Sequence, residues 1–101
     1  FFKNKKLQSP ISPMVLFSQK ITGVVYTEGG KEVLIGASVI EVGSTNGTIT
    51  DIVGEYSIGI SKADKKILQA SYLGYETKQE RIGSRRVVNF FLKESSQALD
   101  K

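Results

Sequence analysis

The sequence predicts an all-β fold, a small sandwich of seven short strands, and three observations predict it. Apolar and polar residues alternate in short runs, as where Tyr56, Ile58 and Ile60 interleave with Ser57, Gly59 and Ser61. Turn signals built on glycine, asparagine and aspartate recur roughly every 8 to 12 residues. No segment carries apolar residues at helical spacing for long enough to make an amphipathic helix.

In chain order, residues 20–26 are the first expected strand, with Ile21 and Val25 inward. Gly23 between them weakens a strand, so it predicts close approach of a neighbouring backbone. Glu28-Gly29-Gly30-Lys31 is a polar turn. The stretch from Gly36 to Tyr56 (GASVIEVGSTNGTITDIVGEY) organises the rest. Ala37, Val39 and Glu41 share one face of an extended segment, and Ser38, Ile40 and Val42 share the other. A carboxylate in the inward series predicts a bulge or a strand end near Gly43. Asn46-Gly47 tolerates positive φ and is the expected hairpin turn into the β-branched Thr48, Ile49 and Thr50. Asp51 and Gly54 take the first and fourth places of an expected type I turn, the aspartate accepting from backbone N–H groups ahead of it.

Residues 61–66 form a charged connection. Leu68, Ala70 and Tyr72 mark the more apolar face of the next strand, and Gly74 predicts a corner or bulge. Residues 76–82 alternate charge and polarity, the pattern an edge strand carries against sheet-to-sheet pairing. Gly83-Ser84-Arg85 turns the chain into residues 87–92, which close the sandwich.

These residues resemble the carboxypeptidase regulatory-like domain, a transthyretin-like or prealbumin-like sandwich. More narrowly, they resemble the copy at the N-terminus of SusC-like TonB-dependent outer-membrane receptors of Bacteroidetes. Ile21, Gly23 and Val25 match the family's I-x-G-x-V, and Gly36, Ala37, Val39, Asn46 and Gly47 match its G-A-x-V and glycine turn. Thr50, Asp51, Gly54, Tyr56 and Ile58 match T-D-x-x-G-x-[FY]-x-[IL], and Tyr72, Gly74 and Tyr75 match Y-x-G-Y. No single piece is specific, but the combination is. The resemblance implies a Greek-key sandwich over residues 20–93, with a tail at 1–19 and a polar linker at 94–101. It also implies a non-catalytic accessory domain on the periplasmic side of the outer membrane, excised or truncated from a longer receptor. Its partners would be the plug and barrel of that receptor or neighbouring envelope proteins. Two departures stand out: family members often carry proline near Glu32 or Val33, and an acidic or amide residue where this chain has Val53.

With 101 residues the chain is one domain with tails, and a body of this size buries only about 60% of its unfolded surface. There is no cysteine, hence no disulfide framework, and no histidine, the commonest general base and metal ligand. The net charge is +4, but residues 20–93 carry ten basic and eight acidic side chains, so no nucleic-acid face is expected. Residues 1–19 combine a basic start with apolar residues broken by Pro10 and Pro13. They read as a remnant of a signal segment or as a linker, with an added edge strand from Val15 to Phe17 as a third reading, and they are too short and broken to span a membrane.

A search for chemistry yields little. Asp51 and Glu55 lie around one turn that supplies too few oxygen donors for calcium. Gly43-Ser44-Thr45-Asn46-Gly47 lacks the Gly-Lys-Ser/Thr end of a phosphate-binding loop. No enzyme, metal or cofactor is expected. The aromatic residues offer the alternative: Tyr26, Tyr56, Tyr72 and Tyr75 as a platform for sugar rings. Tyr56 and Tyr75 are assigned to the core and Tyr26 to ligand stacking. A carbohydrate-binding module, or the accessory domain of a metallocarboxypeptidase, are the readings that compete with the receptor domain.

Overall fold

The computed structural model describes residues 18–95. Within them, seven strands run in the order β1 Ser18–Thr27, β2 Ser38–Glu41, β3 Gly47–Ile49, β4 Glu55–Ser61, β5 Ile67–Ser71, β6 Lys78–Arg81 and β7 Phe90–Leu92. Single 3-10 turns lie at Glu28–Gly30 and Ala63–Lys65. The strands form two sheets, ordered β4-β1-β7 and β3-β2-β5-β6. The all-β sandwich expected from the sequence is thus the architecture observed. Strand β7 runs parallel to β1, from Val25↔Phe90 to Thr27↔Leu92, while the other ladders are antiparallel. A parallel neighbour needs a long connection, and here the connection takes in β4 as well as the whole of the second sheet.

The core lies between the sheets. Strand β4 shows how alternation builds it, with Tyr56, Ile58 and Ile60 buried and Glu55, Ser57, Gly59 and Ser61 exposed. Ile21, Val25, Phe90 and Leu92 complete the inner face of that sheet, against Val39, Leu68 and Ala70 of the other. Ile82 and Val88 are also fully buried in this core. Burying each such aliphatic or aromatic side chain contributes about 1.5–3 kcal/mol before chain entropy is counted.

Several expectations need correction. The first strand starts at Ser18, not Lys20, because Ser18 and Gln19 pair with Ser61 and Ile60. Of the two readings of Glu41 the strand end holds and the bulge does not: the β2–β5 register runs unbroken to Glu41↔Leu68, and the strand ends there with the carboxylate inward. Asn46-Gly47 is not the left-handed part of its hairpin. Among the hairpin's residues positive φ falls on Gly43 (87°), and Ser44 N–H donates to the Glu41 carbonyl across that turn. Gly47 already belongs to β3, where an added Cβ would come within 2.9 Å of Ile40 Cγ2. The expected strand over 87–92 forms a continuous ladder only from Phe90, with Val87 an isolated bridge to Thr22. Pairing also continues past residue 93, since Glu94 bridges Tyr75 and Ser95 N–H donates to the Gly74 carbonyl. The readings of residues 1–17 and 96–101 lie outside the described residues.

Candidate functional site

Gly23 and Tyr56 are directly opposed in the β1–β4 ladder. Because Gly23 has no side chain, the Tyr56 ring and the Val88 carbonyl both crowd against it. A Cβ there would lie 1.9 Å from Val88 O and 2.9 Å from Tyr56 Cε2. The Tyr56 hydroxyl donates to that carbonyl at 2.5 Å, and burial pushes the phenol pKa well up. Asn89 then supplies what the ladder lost: its side-chain oxygen accepts from Val24 N–H at 2.9 Å. This cluster holds β7 to the scaffold and leaves no acidic proton at the surface.

The second cluster joins the turns at one end of the sandwich. Thr50 Oγ1 donates to the Leu34 carbonyl at 2.6 Å and accepts from Ala37 N–H at 2.8 Å, and Gly36 N–H (φ 79°) donates to the Thr50 carbonyl. Next to it, Asp51 Oδ1 accepts from Val53 N–H at 3.0 Å and Glu55 N–H at 2.9 Å, while Gly54 N–H donates to the Asp51 carbonyl. One carboxylate oxygen of Asp51 is therefore engaged by its own turn. Gly54 sits at φ 80°, packed on Val33. Gly74 (φ 91°) is the third residue of a turn closed by Tyr75 N–H and the Tyr72 carbonyl.

A third cluster was not foreseen. Glu41 is 7% exposed, and its carboxylate accepts from Lys66 Nζ at 2.7 Å and Asn46 Nδ2 at 3.1 Å. Those hydrogen bonds, Lys66 first, hold its pKa below the ordinary value. Asn46 Nδ2 also donates to the Gly59 carbonyl at 2.8 Å, bridging the β2–β3 hairpin to β4 in the opposite sheet. Asn46 thus serves through its side-chain amide as well as its backbone, whose carbonyl accepts from Glu41 N–H at 2.9 Å.

The four tyrosines do not assemble into one platform. Tyr56 is in the core. Tyr72 and Tyr75 tilt against each other (5.9 Å, 60°) and pack, partly buried, against the core. Tyr26 stacks on Phe91 with centroids 5.0 Å apart and planes 12° from parallel, so one face of its ring is occupied. Phe91 is the neighbour that sequence alone did not reveal, because the parallel β1–β7 pairing places it beside Tyr26. An open depression of about 640 Å³ lies over Thr22, Val24, Ser57 and Asn89, with Lys20, Asp51 and Glu55 also in its lining. Among the described residues, no group of three or more acidic, histidine or cysteine side chains is placed to hold a metal, and no helix is long and apolar enough to cross a membrane.

What the surface does offer is apolar turn tips. Ile52 and Val53, in the middle of the Asp51–Gly54 turn, are 81% and 52% exposed, and Leu73, in the middle of the Tyr72–Tyr75 turn, is 95% exposed. Turns ordinarily place polar residues, glycine or proline there.

The model of the CarboxypepD_reg-like domain matches residues 21–101. TonB-dependent receptor P39 of Formosa agariphila is 39% identical over 82 residues, 81% of this chain and 8% of the receptor. TonB-dependent receptor P26 of the same organism is 41% identical over 86 residues, 85% of this chain and 8% of the receptor. TonB-dependent receptor SusC of Bacteroides thetaiotaomicron is 34% identical over 87 residues, 84% of this chain and 8% of the receptor. The chain thus spans less than a tenth of the length of these curated relatives. With its seven strands, its motif residues and a match over four-fifths of its length, the chain belongs to the CarboxypepD_reg-like domain family.

Proposed function

We propose that this chain is a non-catalytic interaction domain of a SusC-like TonB-dependent receptor, lying on the periplasmic side of the outer membrane. The receptor would import a nutrient such as a glycan, and the domain would act through its surface on the plug, the barrel or neighbouring envelope proteins. The observation that carries this reading is the 34–41% identity to three TonB-dependent receptors over more than four-fifths of the chain. The site geometry is consistent with it. Gly23, Gly36, Ala37, Val39, Asn46, Asp51, Gly54, Tyr56, Gly74 and Tyr75 serve the scaffold through packing, turns and backbone hydrogen bonds.

The coding sequence on either side of this segment tests the reading. A plug and a barrel would support it, and an adjoining metallopeptidase would overturn it. One observation favours a second reading, the Tyr26–Phe91 stack with Phe91 44% exposed, which would suit a sugar ring. Calorimetric titration with oligosaccharides distinguishes the two, since a scaffold domain gives no heat.

A further inference from the structure

We infer that the apolar end of the sandwich is a docking surface for a protein segment carrying apolar side chains flanked by lysine or arginine. This rests on the reading of the chain as an interaction domain and names the surface and the chemistry of the partner.

Strand register brings three connections to this end. Ser38 pairs with both Ile49 and Ser71, so the start of β2 and the ends of β3 and β5 lie in one row. The connections are the β1–β2 loop, the Asp51–Gly54 turn and the Tyr72–Tyr75 turn. The Thr50 hydrogen bonds and the packing of Val33 on Gly54 tie the first two together. A shallow depression of about 440 Å³ between Gly36, Ser38 and Leu73 joins the third. Ile35, Ile52, Val53 and Leu73 thus project from separate loops on one end, each at least half exposed. An apolar group of this kind with a polar rim marks an interaction site more often than a solvated face.

The rim carries a sign. Six exposed acidic residues lie in or beside the connections at this end, Glu28, Glu32, Asp51, Glu55, Glu76 and Glu94, against Lys31, Lys78 and Lys93, giving −3. The other described residues carry seven basic and three acidic side chains, giving +4. A nearly neutral domain is therefore strongly polarised, and complementary potentials select partners and orient encounter. The acidic rim disfavours an anionic bilayer, where basic residues supply the attraction. It equally disfavours the same end of a second copy, since a two-fold contact sets like charge against like. The basic end of a second copy is a poor complement too, because its turns show Lys62, Lys65 and Ser84, and Val42 beside them is only 38% exposed.

The test uses the 101-residue chain as bait for a phage-displayed library of random 12-residue peptides. Selected peptides should be enriched in Lys or Arg together with Leu, Ile or Phe. Amide chemical shifts should move at residues 33–36, 50–54 and 72–75 when such a peptide is added. The double variant I52D/L73D should weaken binding by about tenfold or more, the size of a central contact in an interface, while K62E/R86E at the other end leaves it unchanged. Circular dichroism of each variant reports folding, and the exposed positions chosen keep that control favourable. Acidic or uncharged selected peptides, shifts elsewhere, or binding indifferent to I52D/L73D would overturn the inference. So would binding of phosphatidylglycerol vesicles, or self-association in sedimentation, abolished by the same substitutions. None of these outcomes depends on whether a plug and barrel adjoin the segment, so this inference and the receptor reading fail separately.

Discussion

The hydroxyl of Tyr56 donates to the carbonyl of Val88, a residue 32 positions further along the chain. That bond takes the Val88 carbonyl out of the β1–β7 ladder and turns it toward Gly23, and the Asn89 side chain replaces it on Val24 N–H. A hydrogen bond between two buried groups thus decides where the last strand can pair continuously, and the flanking glycine is what makes room for it.

Tyr56→Phe should therefore leave a buried carbonyl without its donor and destabilise the domain by about 1–3 kcal/mol. Gly23→Ala should cost more, since its Cβ would overlap the Val88 oxygen at 1.9 Å. Urea denaturation measures both. Equal stability of Gly23→Ala and the parent would show that the close approach is not real.

Asp51→Ala removes the acceptor shared by Val53 and Glu55 N–H, and should cost about 1 kcal/mol for an exposed turn. Gly54→Ala should cost at least as much, because φ near 80° and contact with Val33 both oppose a side chain. Asp51→Asn retains one acceptor oxygen and should lie between Asp51→Ala and the parent in thermal midpoint.

Stability should fall in acid through Glu41. Its folded pKa lies below the ordinary value of 4.5, so the unfolded chain takes up a proton first as pH drops. The contribution is complete above the unfolded value and is lost as pH falls through the folded one. Urea midpoints between about pH 6 and about pH 3 should show this slope, and Glu41→Gln should flatten part of it. Lys66→Met should be worse than Glu41→Gln at neutral pH, because it strands an inward carboxylate.

Metal removal should have no effect. Excess EDTA should leave the melting temperature of the chain unchanged, and a shift of several degrees would reveal an ion that the turn at Asp51 helps to hold.

Local features were legible in the sequence and distant ones were not. The alternation in β4 and the Asp51–Gly54 turn depend on neighbours along the chain, and the residues state them directly. Asn46-Gly47 misled because its preference belongs to two-residue hairpins, whereas this loop spans residues 42–46 and its length lets the Asn46 amide reach Glu41 and Gly59. Glu41 looked misplaced because its partner Lys66 lies 25 residues away. The charge balance of +2 over residues 20–93 concealed two opposed ends, since a total carries no geometry. The docking surface escaped notice for the same reason: Ile52 and Leu73 are ordinary apolar residues until their turns are seen side by side.

Nutrient uptake by cells whose receptor lacks residues 20–93, with the surface abundance of that receptor measured in parallel, tests the proposed role most directly. Import should fall while the barrel remains assembled in the outer membrane, and supplying the folded domain in its native position should restore it. Import at the parental rate without the domain, at equal receptor abundance, would contradict it.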